Sequence, residues 1–169
     1  MRALLVLVLL LAAAPAAAAV AQPVTVENLA READAVVRGK VQRRVSRWSE
    51  DGRHIFTLVT VRVGAVWRGS APGRITVRVP GGEVGEVGQI TDAAPEFADG
   101  EEVVLFLARE DGDTFRVHGL ALGKFRVAKG EARPDLGHIT FTKGLIPAGE
   151  RRVETMPLDE LEWRVRGRP

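Results

Sequence analysis

Apolar positions recur with two different periods along this chain, and the points where the period changes mark its elements. Ala3 to Ala14 is an unbroken apolar run behind the positive Met1-Arg2, and Ala19-Val20-Ala21 follows it. A positive start, an apolar stretch and an A-x-A site in that order make a secretory leader. The run is shorter than the roughly 20 residues that span the hydrocarbon core of a bilayer. Residues 1–21 are therefore expected to be removed, leaving a protein that begins near Gln22 and works outside the cytoplasm, in a periplasm or in the medium.

Beyond the leader, Val26, Leu29, Ala30 and Ala33 stand at i, i+3, i+4 and i+7, one face of a short helix with Thr25 as N-cap. From Ala35 the period drops to two. Val37, Gly39, Val41, Arg43 and Val45 alternate with Arg38, Lys40, Gln42 and Arg44, which predicts a strand with one wet face, and Glu50-Asp51-Gly52 then turns the chain. The next strand, about His54 to Trp67, is apolar on both sides, with Thr57, Val59, Val61, Val63 and Ala65 on one and Phe56, Leu58 and Val66 on the other. That pattern suits a long coiled strand serving two sides of a closed sheet.

Arg68 to Gly73 breaks the pattern, and Ile75, Val77 and Val79 form a third strand ended by Pro80-Gly81-Gly82. Gly81 to Gly100 is the longest irregular stretch, and loops beyond about 12–15 residues in a compact domain tend to be functional or disordered. Val103 to Leu107 reads as a buried strand, Asp111-Gly112-Asp113 as a hairpin turn, and Phe115, Val117 and Gly119 as the partner strand. Leu122 to Val127 is a further strand and Ile139-Thr140-Phe141 a last short one. Pro157 at a first helical position, Asp159 and Glu160 in the first turn, Arg164 and Arg166 in the last and Gly167 beyond mark a closing helix. Its apolar face, Leu158, Leu161 and Val165, is expected against the sheet.

No strand–helix–strand alternation occurs, so the fold class is all-β: a small closed or partly open barrel of five to seven strands, with a short N-terminal helix and a C-terminal helix. The expected division is a leader at 1–21, a barrel domain at 22–150 and a helical tail at 151–169. Cysteine is absent, which closes both the disulfide and the cysteine-linked lipid routes and leaves core packing to hold an exported chain. A formal net charge of +2 says little about partners. Its distribution says more: Glu83, Glu86, Asp92, Glu96, Asp99, Glu101 and Glu102 follow one another without a base, while Arg38, Lys40, Arg43, Arg44, Arg47 and Arg53 crowd an earlier stretch. One end of the fold is expected to be acidic and another basic.

The opening helix, Ala33-Asp34-Ala35-Val36-Val37-Arg38-Gly39-Lys40-Val41, Thr57 to Val63, Val66-Trp67-Arg68-Gly69 and Ile75 to Gly82 follow one another in an order that resembles the netrin-like module. Phe97-Ala98-Asp99-Gly100-Glu101-Glu102-Val103 to Leu107 continues the match, which covers about residues 24–128. The resemblance implies an OB-type barrel, as in the tissue inhibitors of metalloproteinases. It is also similar to small exported bacterial proteins. In those inhibitors a mature N-terminal Cys chelates the protease zinc and a disulfide ties it to the loop after the third strand, which corresponds here to Pro80-Gly81-Gly82-Glu83-Val84-Gly85. With no cysteine, and Gln22 or Val20 as terminus, the resemblance supports the fold better than that mechanism.

Gly81 to Gly88 lacks the lysine and spacing of a phosphate loop, and its two glutamates repel phosphate; a flexible connector or wide β-bulge is expected instead, unless its valines meet a partner. The acidic stretch matches no calcium-loop spacing. His54, His118 and His138 are far apart and read as strand residues satisfied locally, and Ser46, Ser49 and Ser70 lie in no nucleophile motif. Arg43, Arg44, Arg47, Trp48 and Phe56 superficially fit a nucleic-acid face, but aromatics are only 5% of residues, too few for base stacking. The arginines read as a wet face that keeps a sheet edge from pairing, and Trp48 and Trp67 as barrel lids or partner anchors.

The reading that results is an exported, non-enzymatic binding or accessory domain that contacts another exported protein through the 81–100 loop. Gly81, Gly82, Glu83, Val84, Gly85 and Glu86 are its contact residues. No catalytic residue, metal or cofactor is assigned, no nucleic acid is expected, and no membrane partner once the leader is gone. Inhibition of an exported metalloprotease, and hydrolase activity through a Ser or His, stand as alternatives.

Overall fold

A computed structural model describes residues 24–135 and 153–167. The leader, His138 and the expected strand at 139–141 lie outside the described residues.

Thr25 caps helix α1 (Val26–Glu32) as its sequence implies, its hydroxyl accepting the Asn28 N–H at 3.2 Å. The strands follow as β1 (Ala35–Trp48), β2 (Ile55–Gly69), β3 (Arg74–Pro80), a small pair β4 (Gly82–Val84) and β5 (Val87–Gln89), β6 (Glu102–Arg109) and β7 (Thr114–Val117). A 3-10 turn at Leu120–Gly123 leads to β8 (Lys124–Ala128), β9 (Glu131–Pro134), the two-residue β10 (Met156–Pro157) and helix α2 (Leu158–Arg166).

Strands β1, β2, β3, β7 and β6 close into a five-stranded barrel, antiparallel throughout except where β3 meets β7 in parallel. This is a small OB-like barrel. One edge of β6 takes β1; the other is shared between β7 near its end and β8 near its start, so β8, β9 and β10 extend the sheet beyond the barrel. Three irregularities in the β1–β2 register, at Val36/Val37, Arg38/Gly39 and Val41/Arg43, let these long strands coil around the closed wall.

Coiling lets one strand feed two cores. The barrel interior holds Val37, Val41, Val59, Val61, Ile75, Val77 and Phe115. A second core lies outside one wall, where α1 and α2 press Leu29, Ala30, Leu161 and Val165 onto Val36, Trp67, Phe106 and Phe125. Val103, Leu105 and Leu107 point into the barrel and Val104 and Phe106 into the outer core. That is why β6 reads as an uninterrupted apolar run. Arg164 of α2 clamps Glu27 of α1 with bonds of 2.7 and 2.9 Å.

The barrel itself has five strands, within the expected five to seven; β4, β5, β9 and β10, two to four residues each, are additions too short to leave a period in the sequence. Several expectations need correction. Strand β7 stops at Val117, since Gly119 is left-handed at φ 74° and starts the 3-10 turn. Pro157 is the N-cap of α2 and not its first residue. Trp67 is buried and Trp48 exposed, so the two tryptophans part company.

The basic and acidic stretches do not occupy opposite ends. Antiparallel pairing of β1 with β6 sets them side by side, and Arg38 bonds Glu102 at 2.6 Å while Arg44 bonds Asp99 at 3.0 Å. Over Ala35 to Lys40 the arginine-bearing strand is paired on both sides and is no edge. No helix among the described residues is long and apolar enough to cross a membrane.

Candidate functional site

The segment from Gly81 to Glu101 joins β3 to β6 and lies across one end of the barrel. Its first part is a β-hairpin, correcting the expected connector or bulge. Gly82 pairs with Gln89, Glu83 with Gly88 and Val84 with Val87, around the two-residue turn Gly85-Glu86. Gly85, at φ 62°, holds the first central position, as a II′ turn requires.

Two glycines seat the hairpin on the wall. Gly82 has φ 131°, and a Cβ there would overlap the hydroxyls of Thr57 and Ser46. Those hydroxyls form a 2.9 Å bond, Ser46 Oγ accepts the Glu83 N–H at 3.3 Å, and Thr57 donates to the Gly81 carbonyl at 2.8 Å. From the other arm, Gln89 Oε1 accepts the Ile55 N–H at 2.8 Å. Of the six expected contact residues, Glu83, Gly85 and Glu86 face solvent, Val84 and Gly82 are half-buried and Gly81 is buried.

The far end is fastened more deeply. Phe97 plugs the barrel interior, and Arg44 donates to its carbonyl at 2.6 Å. Lys124, fully buried at 0% exposure, carries its ammonium 4.6 Å from the Phe97 ring, bonds Glu101 and Asp135 at 3.0 Å each and donates to the Glu96 carbonyl. Arg126 completes the cluster, reaching Glu101 at 3.0 Å and Asp135 at 3.5 Å. Two cations thus face two carboxylates, with the buried Lys124 ammonium at the centre and the half-exposed Arg126 at the rim.

Between these anchors the segment exposes apolar side chains. Ile90 is 96% exposed and Val87 48%. Trp48 lies exposed at the same barrel end, opposite Ile55, whose N–H holds Gln89. A cleft of about 860 Å³ runs beneath, lined by Arg44, Ser46, Gly82, Gln89, Ile90 and Phe97 among others.

Ile90 and Lys124 were not among the expected contact residues, whereas Trp48 was weighed as a barrel lid or partner anchor and is exposed. Ile90 is a lone aliphatic in a polar stretch, a signal that sequence pattern records and does not interpret. Lys124 looks like any wet strand residue until the fold buries it.

The remaining candidates stay apart. His118 follows β7 and meets Glu32 at 3.3 Å across 86 positions of chain, whereas His54 precedes β2 and is satisfied locally, its N–H and carbonyl bonding Ser49, so neither lies within a strand and only His54 is held by near neighbours. Ser49 bonds Asp51 in the first turn. Among the described residues no group of His, Cys, Asp or Glu is placed to hold a metal. Comparison of the chain with known protein families and with characterised proteins returns no match.

Proposed function

We propose that the protein is an exported accessory domain that holds a second exported protein against the apolar tip of the 81–100 segment. The carrying observation is Ile90, 96% exposed on a segment pinned at both ends. A side chain held out in water by an ordered loop loses little freedom when a partner covers it. Burial of an aliphatic side chain of this size gains about 1.5–3 kcal/mol, and Val87 on the same segment is a second exposed apolar side chain. The leader-like residues 1–21 support export.

The test compares proteins retained from the exported fraction by the full chain and by an Ile90→Asp, Val87→Asp variant. A partner retained by the first and released by the second supports the reading; equal retention removes the segment from it. A zinc metalloprotease among the retained proteins is the partner class that the netrin-like resemblance implies, and its activity in the presence of the protein separates inhibition from simple attachment.

A further inference from the structure

The helices cover Val36 of β1 and Trp67 of β2 at one end of the barrel, and among the described residues they do not reach the outer face of β1, β2 and β3 from Lys40, Arg62 and Arg74 onward. Register fixes which side chains share that outer face. Lys40 lies opposite Arg62, and Arg62 opposite Arg74, so three cations cross three adjacent strands in one line. The next line runs Arg43, Thr60, Thr76 and Thr114, and the next brings Leu58 beside Arg78, with Arg116 of β7 two residues beyond Thr114. Adjacent strands are about 4.8 Å apart and alternate residues about 7 Å, so the positive charges form a grid of that spacing.

Like charges directly opposite on a sheet repel and destabilise it. None of Lys40, Arg43, Arg62, Arg74, Arg78 and Arg116 forms an ion pair with a described residue. The one carboxylate in register with the line, Glu102 opposite Lys40, is already bound by Arg38. Such a face is relieved by a ligand that brings anions at a matching repeat.

We infer that this face binds a linear anionic polysaccharide, its carboxylate or sulfate groups on the arginine grid and its hydroxyls on the row Thr60, Thr76 and Thr114. Nucleic acid is disfavoured because Phe56, the one aromatic on the face among the described residues, is covered by the Arg78 guanidinium 4.5 Å from its centroid, which removes a stacking platform. A lipid surface is disfavoured because Phe56 and Leu58 are only half exposed and offer nothing to insert. Strand addition by a peptide onto β2, the centre of the face, is blocked because β2 is paired along both edges.

The experiment titrates the full chain into fluorescent heparin oligosaccharide at several salt concentrations, beside a single-stranded oligonucleotide, polyglutamate and phosphatidylglycerol vesicles. Expected are saturable heparin binding that weakens as salt rises, a loss of at least about tenfold in affinity (about 1.4 kcal/mol) in an Arg62→Glu, Arg74→Glu variant that keeps its cooperative unfolding transition, and no change in the Ile90→Asp, Val87→Asp variant. That last arm separates this face from the segment proposed for protein contact. Absence of heparin binding near 0.1 M salt, equal binding by the charge-reversed variant, or tighter binding of any of the other three probes overturns the inference.

Discussion

Replacing Lys124 by Met keeps the length and apolar stem of the side chain and removes only the ammonium. That ammonium is fully buried and satisfies Glu101, Asp135 and the Glu96 carbonyl at once. Breaking a buried pair by removing one partner costs about 3–5 kcal/mol, because the other charge is left uncompensated. Arg126 still reaches both carboxylates, and at 46% exposure it brings solvent with it, which places the expected loss at the lower end, about 3 kcal/mol. With a urea slope of about 1.5 kcal/mol/M, the unfolding midpoint falls by about 2 M.

Two companion variants separate charge from packing. Arg126→Met removes a half-exposed rim cation and should cost less than about 1 kcal/mol. Adding Glu101→Gln and Asp135→Asn to Lys124→Met removes the stranded carboxylates and should restore most of the midpoint. Amide exchange adds a local readout: the Gly100 N–H, bonded to the Val41 carbonyl at 2.9 Å, should lose protection in Lys124→Met as the end of the 81–101 segment loosens. A single variant within 1 kcal/mol of the parent, or a triple variant no better than the single one, would refute the assignment of this cluster as an electrostatic anchor.

Gly82→Ala forces a Cβ into Ser46 and Thr57 at φ 131°; about 1–3 kcal/mol of strain is expected, seen as faster exchange at Glu83 and a lower Tm, and an unchanged Tm would show that the hairpin shifts freely. The Arg164 guanidinium holds the Glu27 carboxyl below its ordinary value of 4.5. The folded value lies below the unfolded one, so this contribution is complete above about pH 4.5 and disappears as pH falls through the folded value; in Glu27→Gln the acid limb of stability against pH should flatten, and an identical limb would discount the clamp. Arg62→Glu alone places opposite charges between Lys40 and Arg74 and should raise stability by roughly 0.2–1 kcal/mol at low salt, an effect read by urea unfolding that high salt should erase; a destabilised variant would argue against the like-charged line.

Strand positions were legible wherever a barrel wall separates core from water. Ile75, Val77 and Val79 alternate with exposed neighbours because β3 faces one core only, and Thr25 announces α1 because its hydroxyl has a single local task. Legibility failed where partners come from distant parts of the chain. Nothing near Lys124 in sequence foretells its burial, since Glu101 and Asp135 reach it only after β8 pairs with both β6 and β9. The 81–89 hairpin was hidden because its strands are three residues long, too short for a period, and because its stability comes from Ser46, Thr57 and the Ile55 N–H beyond its own sequence.

Charge shows the same rule from the opposite side. Counted along the chain, residues 38–53 are basic and 83–102 acidic, yet β1–β6 pairing cancels parts of both through Arg38 with Glu102 and Arg44 with Asp99. Arg62, Arg74 and Arg78 look unremarkable in sequence, each one polar position in an alternating strand. Register then stacks Arg62 and Arg74 beside Lys40, and none of the three forms an ion pair with a described carboxylate. The fold thus presents two unlike surfaces, an apolar tip pinned over one barrel mouth and a cationic wall between β1 and β3. The interior between them has its buried polar side chains satisfied among the described residues, so perturbing either surface leaves the core contacts in place and the two binding readings can be tested independently.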